Sequence, residues 1–182
     1  MEHEFDLVTI GAGSGGVAAS RRAAAHGARV AIVEAGRVGG TCVLRGCVPK
    51  KLMVYAAGFA DTFDEAPAYG WQLDPPQFDL ARWADAKAAE TTRLEGVYRQ
   101  LLQQSGVELV AGRAQLLDAN TVAVGGRRLR AGTVLLACGG HPVRDSAPGI
   151  EAAPTSDEFL DLRRLPASAI VAGSRRRSRN SS

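Results

Sequence analysis

Aromatic residues are scarce in this sequence, and several other shortages narrow the choice of protein before any motif is read. Phe, Trp and Tyr make up 5% of 182 residues. That is thin for a surface built to stack bases, while abundant Ala and Gly suit closely packed α/β layers. No run reaches the roughly 18–20 apolar residues that a helix needs to cross a bilayer, so no membrane residence is expected. The opening Met1-Glu2-His3-Glu4-Phe5-Asp6 is acidic where a secretory signal is basic, and a cytoplasmic protein is expected. Cysteine is rare and odd in number, at Cys42, Cys47 and Cys138, which argues against a secreted disulfide framework. Histidine occurs only at His3, His26 and His141, without ligand spacing around the cysteines, so no metal is expected. Positive charge in the body is short too. Arg175, Arg176, Arg177 and Arg179 account for more than the whole formal charge of +3, so the basic balance belongs to the tail and nucleic acid is not an expected partner.

What is present reads as one domain, or one domain and part of another, with 46% hydrophobic and 23% charged residues. Residues 5–10 form a short apolar run. Gly11-Ala12-Gly13-Ser14-Gly15-Gly16 then turns into an Ala-rich stretch ending near His26-Gly27, and residues 29–34 make a second apolar run. This order predicts a βαβ opening. Residues 36–40 read as a loop and 50–60 as a helix with Pro49 in its first turn. Residues 65–77, with three prolines, read as irregular. Asp79 is placed to cap a long helix in which Leu80, Trp83, Lys87, Thr91, Leu94, Tyr98 and Leu101 recur at helical spacing, with Gly106 past its end. Residues 107–110 read as a strand, and 121–124 and 127–130 as a hairpin around Gly125-Gly126. The apolar run 133–137 predicts a strand covered on both faces. The fold class is therefore α/β, a Rossmann-like three-layer domain with a parallel sheet and an inserted β-meander.

A strand, then G-x-G-x-x-G opening a helix, then an acidic residue closing the next strand is the pattern of a dinucleotide site. Gly11 permits the turn, Gly13 lets backbone approach a pyrophosphate, and Gly16 lets the helix sit close to the sheet. The exposed N–H groups and helix dipole then face the anion. Glu34 stands where a carboxylate can accept hydrogen bonds from an adenosine ribose, and a carboxylate there suits FAD or NAD(H) better than a 2′-phosphate.

Cys42 and Cys47 lie in Gly39-Gly40-Thr41-Cys42-Val43-Leu44-Arg45-Gly46-Cys47-Val48-Pro49-Lys50-Lys51. At the mouth of a helix such a pair can close into a disulfide, with Lys50, Lys51 and the helix N-terminus favouring thiolate on opening. A dithiol–disulfide couple carries two electrons. A structural zinc site and two inert buried thiols are the competing readings, and Cys138, at the end of an apolar strand, reads as a core residue.

With these residues together, the sequence resembles the class I pyridine nucleotide-disulfide oxidoreductases. Residues 11–16, Glu34, residues 39–51 and Leu136-Ala137-Cys138-Gly139-Gly140 carry the resemblance. Val48-Pro49-Lys50-Lys51 is similar to the glutathione reductase branch rather than to the lipoamide and mercuric enzymes. The resemblance implies that Gly11, Gly13, Ser14, Gly15, Gly16, Glu34, Gly40, Thr41, Cys42, Lys50, Ala114 and Gly139 contact FAD. It implies that Cys47 faces the flavin, that Cys42 exchanges with glutathione disulfide, and that Lys50 lies near the reactive ring nitrogen. Ser14, Arg21 and Tyr98 would border the substrate, with Ala18 at a matching position. The implied cycle passes hydride from NADPH to FAD, then electrons to a Cys42–Cys47 disulfide, then to glutathione disulfide through a mixed disulfide, in a homodimer. Another member of the family, of the dihydrolipoamide dehydrogenase or mercuric reductase type, and a non-catalytic flavin-binding module are the alternatives. Cys138 in place of a threonine, and Val43-Leu44-Arg45 in place of Val-Asn-Val, depart from the family pattern.

The same resemblance divides the chain into residues 1–168 as FAD-binding domain, 169–173 as the start of a NAD(P)-binding domain, and 174–182 as a basic tail. The abrupt change after Gly173 to text rich in Arg and Ser predicts a frameshift or truncation, a nucleic-acid-binding tail being the rival. The dimer-interface domain that supplies a histidine acid/base would then be missing, and the isolated chain is expected to lack NADPH-dependent turnover.

Overall fold

The computed structural model describes residues 3–144 and 148–171. Short, β-rich apolar runs become β1 (Phe5–Ile10), β2 (Val30–Glu34) and β3 (Glu108–Ala111). They lie side by side with β6 (Arg127–Leu136) in one sheet, whose order is β3-β2-β1-β6-β5-β4. β5 is Thr121–Val124 and β4 is Gln115–Asp118. The first four strands of that order run parallel, β1 pairing with β2 and β6, and β2 with β3. β6 is long enough to serve two roles. Its first part pairs antiparallel with β5 from Val124↔Arg127 to Thr121↔Arg130, and its second part pairs parallel with β1 from Phe5↔Ala131 to Ile10↔Leu136. The meander therefore grows out of the parallel sheet. Gly125 and Gly126, both at positive φ (53° and 81°), make the hairpin turn that aligns it.

Alternation along the strands divides the core. Val8, Ala31, Val33 and Val110 meet Val122, Val124 and Leu129 from the meander on one face. Val30 and Ile32 meet Val17 of α1 (Ser14–Ala25) and Leu102 of α4 (Leu80–Gln104) on the other. Asp79 caps α4 by accepting from the Ala81 and Arg82 N–H groups at 2.8 and 3.1 Å. The buried line of α4 is Leu80, Ala84, Lys87, Thr91 and Leu102. Trp83, Leu94, Tyr98 and Leu101, expected on that line, are half-buried.

Three sequence expectations are corrected. The helix placed at 50–60 is α3, Cys47–Glu65, and it is preceded by a short α2, Gly40–Leu44. It holds no proline between Pro49 and Pro67, where a 3₁₀ turn, Ala66–Tyr69, follows. The run 133–137 is not covered on both faces: Leu136 is 62% exposed, since the helices lie over β1, β2 and β3. Cys138 is exposed rather than in the core, because β6 ends two residues earlier and its Sγ lies 3.7 Å from the Ile10 carbonyl oxygen. Residues 169–171 are extended without strand pairing, and Ile170 and Val171 are 97% and 90% exposed. The remainder of the expected second fold, residues 172 and 173, and the tail 174–182 lie outside the described residues.

Candidate active site

The βαβ opening places its glycine turn at the carboxyl ends of the parallel strands, where ligands of open α/β sheets bind. Gly11 sits at φ 107°, and a Cβ there would lie 2.3 Å from the Ala137 carbonyl oxygen. The turn is thus pressed against the exit of β6, next to Cys138 and Gly139. A Cβ on Gly16 would lie 1.9 Å from the Gly11 oxygen, so the first turn of α1 tolerates no side chain there. Gly13, the N-cap of α1, offers no side-chain cap. The N–H groups of Ser14, Gly15 and Gly16 therefore have no acceptor within the helix and stand at its positive end.

A second loop closes on the first. Gly39 N–H donates to the Ala12 oxygen at 2.9 Å, and Gly13 and Gly39 form an isolated parallel bridge. The Gly39-Gly40 doublet belonged to the cysteine motif in the sequence; its contact with the glycine turn was not legible there, because the two segments lie 26 residues apart along the chain and meet only across the fold. Glu34 joins the same assembly. Its Oε2 accepts from Ala12 N–H at 2.7 Å and its Oε1 from Gly36 N–H at 2.9 Å, leaving each oxygen one further lone pair.

The loop at 36–40 is anchored on α4 by Glu95, a residue the sequence did not single out. Arg37 Nε donates to Glu95 Oε2 at 2.6 Å, Arg99 Nη2 to Oε1 at 2.9 Å, and Val38 N–H to Oε1 at 3.3 Å. Burial pushes this carboxyl up, but the hydrogen bonds from Arg37, Arg99 and Val38 outweigh it and hold it below its ordinary value.

The two cysteines sit on this second loop and the helix after it. Cys42 is half-buried within α2 and Cys47, exposed, is the first residue of α3. Both are free thiols, and they are neighbours. Hydrogen bonding with the Cys47 side chain, then burial, then the Cys47 charge raise the Cys42 thiol above its ordinary value, while the Ser14 hydroxyl and the Cys47 backbone pull it down. Ser14, at the start of α1, thus lies against Cys42. Pro49 is buried in the first turn of α3, and Lys50 is exposed beside it, its N–H donating to the Gly46 oxygen at 2.9 Å. Thr41 is exposed, and its carbonyl accepts from Arg45 N–H at 2.9 Å.

The remaining expected residues are more scattered. Arg21, on α1, reaches the far end of α4, where its Nε donates to Ser105 Oγ at 3.1 Å. Tyr98 packs against the cluster of Ala12, Val17 and Ile32. Ala18 is exposed on α1. Ala114 packs on the meander side of the sheet, and Gly139 is exposed at φ 70°. Among the described residues no three His, Cys, Asp or Glu side chains converge as a metal site, and no helix is long and apolar enough to cross a membrane.

The family model described as pyridine nucleotide-disulphide oxidoreductase matches residues 5–174. The chain is 46% identical over 174 residues to glutathione reductase of Nostoc sp., covering 96% of this chain and 38% of that protein. It is 47% identical over 162 residues to glutathione reductase of Burkholderia cepacia, covering 89% of this chain and 36% of that one. With the chloroplastic/mitochondrial glutathione reductase of Pisum sativum it shares 44% identity over 183 residues, 94% of this chain and 33% of the relative. The chain thus spans 33–38% of the length of the curated relatives it matches.

Proposed function

The chain belongs to the pyridine nucleotide-disulphide oxidoreductases, and from that premise we propose that it is the flavin-binding and dithiol-bearing part of an NADPH-dependent glutathione-disulfide reductase. Support comes from one arrangement: the glycine turn at 11–16 and the cysteine-bearing loop at 39–42 pack backbone to backbone, with Ser14 of the first against Cys42 of the second. A phosphate cradle and a two-electron thiol pair therefore occupy one place. In this reading residues 1–168 are the flavin domain, and 169–173 begin a pyridine-nucleotide domain.

The cradle fits a dinucleotide pyrophosphate. Gly16 and Gly40 let the backbone close up, since a Cβ on either would collide with Gly11 or Gly13, while Gly15, with nothing within 4 Å of an added carbon, leaves the mouth of α1 open to a phosphate. The N–H groups of Ser14, Gly15 and Gly16 would hold the pyrophosphate with Thr41, Glu34 would accept from the ribose, and Gly11, Gly13, Gly40, Ala114 and Gly139 would line the bound FAD. When bound, FAD supplies a two-electron carrier between a pyridine nucleotide and the thiols, with Lys50 beside its reactive ring.

The chain's own chemistry is thiol exchange. The Cys42 thiolate attacks one sulfur of glutathione disulfide, breaking that bond, forming a mixed disulfide and releasing one glutathione thiolate. The Cys47 thiolate then attacks the Cys42 sulfur, releases the second glutathione, and leaves the Cys42–Cys47 disulfide. Ser14 assists by easing Cys42 toward thiolate, against the neighbouring Cys47 and burial. Arg21 and Tyr98 are proposed on the glutathione side, and a homodimeric, cytoplasmic whole enzyme is proposed with them. Because the chain spans about a third of its relatives, the 182 residues by themselves are expected not to reduce glutathione disulfide with NADPH.

Titrating the purified chain with FAD, followed by flavin fluorescence, tests the cradle. Saturable binding at one FAD per chain, weakened at least about tenfold by Glu34→Ala, is expected from the loss of a charged hydrogen-bond acceptor. A folded chain that binds no FAD, or binds it equally well without Glu34, would overturn the reading.

A further inference from the structure

Only Arg45 and Gly46 separate α2, which carries Cys42, from α3, which begins at Cys47. Arg45 caps the end of α2 and Gly46 caps the start of α3. Their backbone is committed: Arg45 N–H donates to the Thr41 oxygen, the Gly46 oxygen accepts from Lys50 N–H, both at 2.9 Å, and a Cβ on Gly46 would lie 3.0 Å from the Thr41 oxygen. A small rotation at this hinge moves one cysteine relative to the other.

The Arg45 side chain leaves the hinge and reaches Asp157, Nη1 to Oδ2 at 3.3 Å. Asp157 belongs to α5 (Ser156–Phe159), and that helix is itself fastened. Thr155 and Glu158 form a reciprocal capping box, with Thr155 N–H donating to Glu158 Oε2 at 2.6 Å, and Arg144 pairs with Glu158 at 3.1 Å. The residues that follow are moored to α4. Buried Lys87 donates to the Leu160 oxygen at 2.7 Å and pairs with Asp161, and Arg163 pairs with Asp85 at 2.8 Å. The hinge between the thiols is thus tied to a strap, residues 155–163, that is distant in sequence and anchored at several other points.

We propose that Arg45 is a positioning residue for the dithiol: its ion pair with Asp157 holds the Arg45–Gly46 hinge in the conformation that keeps the two sulfurs apposed, and so favours their disulfide. The proposal rests on reading Cys42 and Cys47 as a redox pair. Nearly half of the Arg45 side chain is exposed, 46% against 22% for Asp157, so the effect is that of a partly screened ion pair, about two- to fivefold in equilibrium.

The test equilibrates the full 182-residue chain with mixtures of reduced and oxidised glutathione, then quenches and counts alkylated peptides by mass. In that exchange the two thiols are oxidised to one disulfide, and one glutathione disulfide is reduced to two glutathione thiols. Arg45→Leu and Asp157→Asn should each move the equilibrium about two- to fivefold away from the intramolecular disulfide, and the double variant should go no further than either single one. Arg45→Lys should recover part of the loss. Arg93→Gln, which breaks the exposed pair with Glu90 on α4, should leave the equilibrium unchanged, separating hinge positioning from a general loss of stability. Asp157→Asn nearly preserves volume and carries the test if Arg45→Leu folds poorly. Variants that match the parent chain, or a double variant whose losses add, would overturn the clamp alone. A parent chain that forms no Cys42–Cys47 disulfide would overturn the redox reading and the clamp with it.

Discussion

Gly13 and Gly40 face each other across the two loops with no room for a side chain on Gly40: a Cβ there would lie 2.6 Å from the Gly13 Cα, and Gly40 sits at φ 61°. Here the glycine turn and the cysteine-bearing loop pack backbone to backbone. Gly40→Ala should therefore separate the loops and strain a left-handed residue, costing about 1–2 kcal/mol in urea unfolding and weakening FAD binding. Gly15→Ala, with nothing within 4 Å of the added carbon and no positive φ, should change stability by no more than about 0.5 kcal/mol. Equal losses in the two variants would contradict the packing argument.

Cys47 is the foremost cause of the raised Cys42 thiol. Cys47→Ala should bring that thiol back toward its ordinary value, so that at a fixed, mildly alkaline pH more of Cys42 is thiolate and iodoacetamide modifies it faster. Ser14→Ala removes a lowering influence and should slow the same reaction. Rates of Cys42 alkylation against pH check both directions; a Cys47→Ala profile unmoved or shifted upward would refute the contact.

The Glu95 carboxyl is held below its ordinary value once its hydrogen bonds from Arg37, Arg99 and Val38 overcome burial. The sign follows: its stabilisation is present above the unfolded carboxyl's value of about 4.3 and is lost as pH falls through the lower folded value. Glu95→Gln should cost about 1 kcal/mol at neutral pH, and the difference from the parent chain should shrink as the pH is lowered below about 4. Urea unfolding at several pH values decides it, and a gap independent of pH would show that the charge is not what matters.

Lys87 is buried at 6% exposure, yet its ammonium meets the Leu160 oxygen and Asp161. Lys87→Ala should strand that carbonyl and release the strap at 155–163, at a cost of about 1–3 kcal/mol. Limited proteolysis should cut near Leu162 faster in the variant than in the parent. Unchanged cleavage would mean that the strap is held by its other ion pairs.

Much of this arrangement could be read from local pattern. The apolar run at residues 5–10, the glycine turn, the Ala-rich helix and Glu34 follow from periodicity and backbone freedom, and they fall where expected. Asp79 announces its helix and Gly125-Gly126 their hairpin. Where local text misleads, an unseen neighbour is the reason. The apolar run ending in β6 looks fully buried, but apolar composition cannot report that no helix lies over Leu136. Arg45 stands out only as a departure from a pattern; its partner Asp157 is 112 residues away.

The sequence by itself therefore determined the glycine turn, the spacing of the two cysteines and most of the order of elements, because each depends on φ freedom, hydrogen bonding or side-chain period within a few consecutive residues. Only the tertiary structure decided that the two glycine loops touch, that Ser14 lies against Cys42, and that Glu95 and Asp157 brace the segments on which the cysteines ride. Those contacts join residues far apart in the chain, and they arise from how the sheet stacks its crossovers, which no short window of text encodes.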